Sequence, residues 1–210
     1  MPGKIIAIEG SDGVGKATQT KLLVQHLRKD DFKVAFLSFP RYETQTGKKI
    51  KKYLEGELGN PKNIDPLTSA VLYHNDRKDA ITVMEKMIKE NDFLILDRYK
   101  YSSFAHQPAK LEKPEEMIHI MKKIEQLESD IREADLVIFL HVTPEISQRL
   151  LKKEKKTDML ESDIEYLRRT NDLYKELAKR KNWKTIECLK NGNLLSMEEI
   201  HKKIYKEVLS

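Results

Sequence analysis

The apolar positions of this chain follow two rhythms. Ile5–Ile8, Val34–Phe39, Phe93–Leu96 and Leu136–Val142 are short runs rich in Val, Ile, Leu and Phe, and Lys184–Glu187 is a weaker fifth. Runs of this length with little polar alternation suit parallel strands buried on both faces. In the stretches between them, apolar residues recur every three or four positions. Gln19–Lys29 carries Leu22, Leu23 and Leu27 on one face, and Glu115–Glu133 spaces Met117, Ile120, Met121, Ile124, Leu127 and Ile131 in the same way. Asp163–Lys181 and Met197–Val208 show similar stripes. Such stripes predict helices with one face on a core or a subunit interface. Strand–helix alternation then predicts an α/β fold, a five-stranded parallel sheet with helices on both faces. No internal repeat or low-complexity linker divides the chain, so residues 1–210 read as one domain.

Composition narrows the setting. The 210 residues suffice for one sizeable core. Hydrophobic residues make up 39% and charged residues 35%, which implies a strongly hydrated surface. No apolar run approaches the roughly 20 residues that cross a bilayer, so no membrane role is expected. The opening MPGKIIAIEG has no signal-peptide core or small-residue cleavage site. One cysteine, Cys188, excludes an internal disulfide framework and a cysteine-based zinc site. A cytoplasmic protein is expected. The net charge of +5 comes from lysines interleaved with acids along the chain. That pattern reads as solvated helix faces, and no nucleic-acid partner is expected.

The motif with the clearest chemistry is GSDGVGK, comprising Gly10, Ser11, Asp12, Gly13, Val14, Gly15 and Lys16. It follows a predicted strand and opens a predicted helix, the context a phosphate-binding loop requires. Glycines let successive N–H groups converge on phosphate oxygens. The helix N-terminus adds its positive dipole, and Lys16 adds a point charge for the β- and γ-phosphates. The next residue should be Ser or Thr, whose hydroxyl ligates Mg²⁺. Here it is Ala17, followed by Thr18. Either water and carboxylates alone hold the ion, or Thr18 compensates. Asp97 closes the third strand in LILDRY, where a carboxylate beside such a loop serves the metal.

Further segments join that loop: FPRYETQTGKKI at 39–50, DPLTSAVLYHNDR at 65–77, LDRYKYSS at 96–103 and LHVTPE at 140–145. Together they resemble the thymidylate kinase family of P-loop nucleoside monophosphate kinases, from Ile5 to about Tyr174. The resemblance implies transfer of the γ-phosphoryl of ATP to dTMP, giving dTDP and ADP for deoxythymidine nucleotide synthesis. It implies a P-loop nucleotide kinase fold with a mobile lid, a homodimer, Mg²⁺, and ATP as co-substrate. It assigns Lys16 to the donor phosphates and Arg98 to the acceptor phosphate and the transferred group. Arg41 lies in a segment that adds an acceptor-phosphate contact. Tyr73 falls where an aromatic stacks on thymine, and Arg77, four residues on and so on the same helix face, where an arginine bonds the base. Asp12 corresponds to a carboxylate near the acceptor 3′-hydroxyl, and it is also a candidate metal group beside Asp97. Ser102 and Ser103 fall where the base and sugar are lined, and Phe39 is an expected apolar wall. His106 and Gln107 lie nearby with no role assigned. The Cys188–Gly192 region is the expected adenine wall.

Two polyanions must meet in such a reaction, so cations must stand between them. In this family one of those cations comes from the phosphate loop or from the lid. The loop position is Gly13, so the lid is expected to supply it. The lid, about 148–161, reads QRLLKKEKKTDMLE and offers Arg149, Lys152, Lys153, Lys155 and Lys156. Arg149 is the best candidate, because a lysine lacks the planar fork of arginine. The alternatives are another pyrimidine nucleoside monophosphate kinase, which Tyr73 and Arg77 disfavour, and a non-catalytic nucleotide-binding paralogue, which Ala17 motivates.

Overall fold

A computed structural model describes residues 3–154, 160 and 162–210, with only the backbone of 153 and 154. The expected sheet is present: β1 (Lys4–Gly10), β2 (Val34–Ser38), β3 (Phe93–Asp97), β4 (Leu136–His141) and β5 (Trp183–Glu187). They run parallel in the order β2-β3-β1-β4-β5. Alternate residues feed opposite layers. Ile5, Ala7, Leu94, Leu96, Val137 and Phe139 belong to one core cluster, while Ile6, Ile8, Phe93, Ile95, Ile138 and Leu140 belong to the other. This two-sided burial is why the strands lack polar alternation. Each fully buried Leu or Ile contributes about 1.5–3 kcal/mol.

The second layer is covered by α1 (Lys16–Lys29) and α9 (Met197–Leu209) through Leu23, Leu27, Ile200 and Ile204. The first is covered by α3 (Pro66–Asp79), α4 (Ile81–Glu90), α5 (Lys100–His106), α6 (Pro114–Leu127) and α8 (Ile164–Leu177). Helix α2 (Gln45–Leu54), a 3₁₀ turn at Pro108–Lys110, α7 (Pro144–Glu154) and a hairpin of β6 (Leu189–Lys190) with β7 (Asn193–Leu194) complete the described elements. From β1 the chain moves outward to β2 and back to β3, then crosses to β4 on the other side. That reversal opens a crevice at the carboxyl ends of the strands beside β1.

Helix α6 stops at Leu127, short of the expected Glu133. Glu128 still donates its N–H to Ile124, but the chain then turns, with Ile131 N–H donating to Glu128 O at 3.1 Å. The Glu128 carboxylate is fully buried, and Ile131 stays in the core from a turn, which is why the apolar period outlasts the helix. Helix α8 likewise ends at Leu177 rather than Lys181, and α1 begins at Lys16 rather than Gln19, because the glycine loop runs straight into it.

Helix α2 is fastened to segment 40–42 backbone against backbone. Thr44 caps it, accepting from Gly47 N–H at 3.0 Å, while Thr44 donates to Arg41 O at 2.9 Å. A Cβ on Gly47 would fall 1.9 Å from Arg41 O and 2.8 Å from Tyr42 N. Gly47→Ala is therefore expected to lower stability by about 1–3 kcal/mol, read from the midpoint of urea unfolding.

Candidate active site

The loop between β1 and α1 is braced from both ends. Lys16 is buried and its Nζ donates to Ser11 O at 2.7 Å, while Thr20 donates its hydroxyl to Lys16 O at 2.8 Å. Gly13 adopts a φ of 75° against α7, where a Cβ would lie 3.1 Å from Leu151 Cγ and 3.3 Å from Leu150 Cβ. Ser147 of α7 donates to Asp12 O at 2.6 Å. A side chain at Gly13 would be strained by its φ and tight against the helix that opens the lid region. Ala17 and Thr18 lie exposed in the first turn of α1.

Beyond the loop stands a cluster of charges. Arg98 follows β3 with a φ of 63°, a left-handed conformation uncommon outside glycine, and its N–H donates to Ile8 O at 3.0 Å. Its guanidinium pairs with Asp12 and donates to Ser102 Oγ at 3.1 Å. Lys16 Nζ lies 3.8 Å from Asp12 and His106 Nδ1 lies 4.0 Å from it. Burial alone would raise the Asp12 carboxyl, but Arg98, Lys16 and His106 hold it well below the usual range. Burial and the neighbouring Arg98 bring Lys16 down to about 8. Burial would lower Arg98, yet Asp12 and the other nearby acids keep it firmly protonated. His106 is pushed down to about 3, chiefly by burial and then by Arg98 and Lys16, against the pull of Asp12. A neutral ring follows. Arg98 has only donors, so His106 Nε2, 3.3 Å from Arg98 Nη1, accepts, and Nδ1–H donates to Tyr166 OH at 2.9 Å.

Glu9, with no role in the sequence reading, organises this end of the sheet. Its carboxylate accepts from Tyr99 N–H at 2.8 Å, Ser102 N–H at 3.2 Å, Ser102 OH at 2.7 Å and Tyr174 OH at 2.9 Å. Burial raises its pKa despite those donors. Asp97, half-buried, closes β3 opposite Ile8 and Ser38, and its charge reaches Lys16.

A cavity partly open to solvent extends from this cluster. Of the expected acceptor residues, Asp12, Phe39, Tyr73, Arg77, Arg98, Ser102 and Ser103 line it together. Arg77 is 2% exposed and is held by Glu128 and Ser103, donating Nε to Glu128 at 3.1 Å and Nη2 to Ser103 Oγ at 2.8 Å. Arg41 is not part of the lining. Its guanidinium meets Asp76 Oδ1 at 3.1 Å, Asp76 O at 2.7 Å and Asp79 at 2.7 Å. Tyr42 beside it lines the cavity instead.

Gln107, His106, Leu160 and Tyr166 also line the cavity. Gln107 is 5% exposed and its Oε1 has no hydrogen-bond partner among the described residues. A polar pair ending a short apolar helix is the only signal the sequence carries for His106 and Gln107, and Glu9 reads simply as the end of a strand. Of the lid cations, Arg149 and Lys152 are exposed on α7, outside the lining. Lys155, Lys156 and the side chain of Lys153 lie outside the described residues. The expected adenine wall, Cys188–Gly192, forms one strand and the turn of the β6–β7 hairpin, with the buried Cys188 thiol pushed up to about 12 by burial.

The chain is similar to known proteins. The family model described as thymidylate kinase matches residues 8–204. The chain is 33% identical over 205 residues to the thymidylate kinase of Prochlorococcus marinus strain MIT 9301, with 93% of each covered. It is 28% identical over 208 residues to that of Plasmodium falciparum isolate 3D7, covering 98% of this chain and 90% of that one. The solved structure of a Candida albicans thymidylate kinase matches with a TM-score of 0.77 at 21% identity, covering 99% and 92% of the two chains.

The lowered Lys16 has a measurable consequence. Polyphosphate placed beside it restores the charged form, so nucleotide binding above pH 8 takes up a proton. Calorimetric titration with metal-free ATP at pH about 8.5, in two buffers of different ionisation heat, is expected to show uptake that fades below about pH 7.

Proposed function

This chain belongs to the thymidylate kinase family, and on that premise we propose how its residues carry out the family's reaction. It is a kinase that transfers the γ-phosphoryl group of ATP to dTMP, giving dTDP and ADP. Arg98 is the observation that carries the assignment of roles, because it lines the acceptor cavity while pairing with Asp12 of the phosphate loop.

The donor phosphates lie on the loop N–H groups of residues 10–18, with Lys16 on the β- and γ-oxygens. The acceptor lies in the cavity with its phosphate on Arg98. Its base packs against Tyr73 and Phe39. Arg77 donates to a base carbonyl, and the partnerless Gln107 Oε1 accepts from the ring N–H. Thymine offers both complements. Asp12, released from Arg98 by the arriving phosphates, faces the sugar, and Ser102 and Ser103 complete that wall. Arg41, held by Asp76, acts on the acceptor through the placement of segment 39–42.

The acceptor phosphate is already a nucleophile, so no strong general base is required. Lys16 and Arg98 align the reacting groups and neutralise their charge. The additional cation comes from α7, since the loop position is Gly13, which carries no side chain, and Arg149 is its source. Mg²⁺ fits a sparse set of hard oxygens, because it keeps several waters and takes phosphate oxygens as ligands. Asp97 is the protein group that would hold it, since Asp12 is given to the acceptor sugar and Glu9 is closed by its four donors. When bound, the ion adds positive charge between the phosphates. A homodimer is supported by α6, where Ile118 is 49% exposed beside the half-buried Met117 and Met121. A cytoplasmic location is supported by the strongly charged surface and the single free cysteine.

An ADP-release assay over dTMP, dUMP, dCMP and UMP tests the acceptor. dTMP is expected to have the highest kcat/KM, and Arg98→Ala to lower kcat by about 100-fold or more. A preference for dCMP would overturn the base-reading roles of Arg77 and Gln107, and a preference for UMP would overturn dTMP as the acceptor. Tight ATP binding with no turnover of any acceptor would overturn catalysis itself. Ala17→Ser is expected to change the rate and its Mg²⁺ dependence by less than about threefold, because water and Asp97 already serve the ion.

A further inference from the structure

Glu128 sits at the end of α6, where its buried carboxylate has one side-chain hydrogen-bonding partner, Arg77. The two residues are 51 positions apart, and both are almost fully buried. His74, one turn earlier on α3, places Nδ1 3.5 Å from Glu128 Oε2, and that nitrogen makes no hydrogen bond. A buried ion pair is a poor source of net stability, because desolvating two charges offsets their attraction. Breaking one by removing a single partner is costly, so the pair strongly fixes geometry. The Arg77 guanidinium is thus held between α6 on one side and Ser103 of α5 on the other.

The turn that carries Glu128 is itself fastened to the residues following Arg98. Tyr99 OH donates to Arg132 O at 2.8 Å, Lys100 Nζ to Ile131 O at 2.7 Å, and Tyr101 OH to Glu133 at 2.5 Å. Ala134 N–H donates back to Tyr101 OH at 3.1 Å. One bracket therefore joins the backbone that presents Arg98 to the carboxylate that presents Arg77.

We propose that Glu128 is a positioning residue for acceptor recognition, holding Arg77 at a set distance from Arg98 so that one cavity reads base and phosphate together. The proposal rests on the reading of this cavity as the acceptor site. Holding the guanidinium before the acceptor arrives removes the entropy cost of ordering it on binding.

Three variants test it: Arg77→Gln, Glu128→Gln and the double variant, each assayed with dTMP, dCMP and ATP. Glu128→Gln is expected to raise the KM for dTMP about tenfold, with kcat and the KM for ATP within about threefold. It should also shrink the preference for dTMP over dCMP, which a general loss of stability would not do. In the Arg77→Gln background, adding Glu128→Gln should change the KM for dTMP by less than about twofold, because its effect runs through Arg77. Each single variant buries a lone charge, so where either fails to fold it is replaced by the charge-keeping Glu128→Asp, which draws Arg77 back and is expected to raise the KM for dTMP in the same way with kcat unchanged. A further large rise in the double variant, or no rise in a folded Glu128→Gln, overturns the proposal while leaving the cavity reading intact. If Arg77→Gln itself leaves dTMP recognition unmoved, the cavity reading falls, and the role of Glu128 falls with it.

Discussion

Glu9 is fully buried at the carboxyl end of the central strand, and its charge has to be met by neighbours rather than by water. Three residues meet it: Tyr99 through its backbone, Ser102 through backbone and hydroxyl, and Tyr174 through its phenol. Those contacts dock α5 and α8 onto β1. They also help hold Arg98, one residue before Tyr99, in its left-handed turn, with its guanidinium toward the phosphate loop. The rest of the site follows from that docking. Ser102 reaches Arg98, Tyr166 on the same helix as Tyr174 reaches His106, and the α5–α8 wall closes one side of the cavity.

The electrostatics of the site are those of a receptor for two anions. Lys16 is buried and Arg98 half-buried beside Asp12, which with Glu9 and Asp97 partly compensates for them in the free protein. Lys16 is lowered chiefly by burial and then by the charge of Arg98. Incoming phosphates supply further negative charge and take the place of Asp12 on Arg98, so the positive charge that receives them is already in place. His106, kept neutral chiefly by burial and then by Arg98 and Lys16, contributes hydrogen bonds to the cluster without adding charge. The close packing of α7 on Gly13 couples the phosphate loop to the segment expected to form the lid.

Much of the fold was legible because it depends on local pattern. Ile5–Ile8 or Phe93–Leu96 reads as a buried strand from composition alone, and the phosphate loop announces itself by its glycines and Lys16. Tyr73 and Arg77 share the cavity as their spacing on α3 suggested. What stayed hidden depends on distant partners. Glu9 meets Tyr174 across 165 positions, and Glu128 meets Arg77 across 51, so neither pairing leaves a local trace. Arg41 shows the same limit from the other side. Its motif suggested phosphate, but Asp76 on α3 holds its guanidinium outside the cavity lining. The overlong reading of α6 came from Ile131, whose apolar period continues through a turn that the buried Glu128 imposes.

The central claim is that one cavity holds the acceptor with its phosphate on Arg98 and its base at Arg77, facing a donor on the loop at Lys16. A crystal structure of the complex with dTMP and ADP tests it most directly. The account predicts the dTMP phosphate within hydrogen-bond distance of Arg98, the thymine against Tyr73 with its carbonyl at Arg77, and Asp12 separated from Arg98. A dTMP phosphate seated on Arg41, or a thymine outside the cavity with the Asp12–Arg98 pair intact, would contradict it.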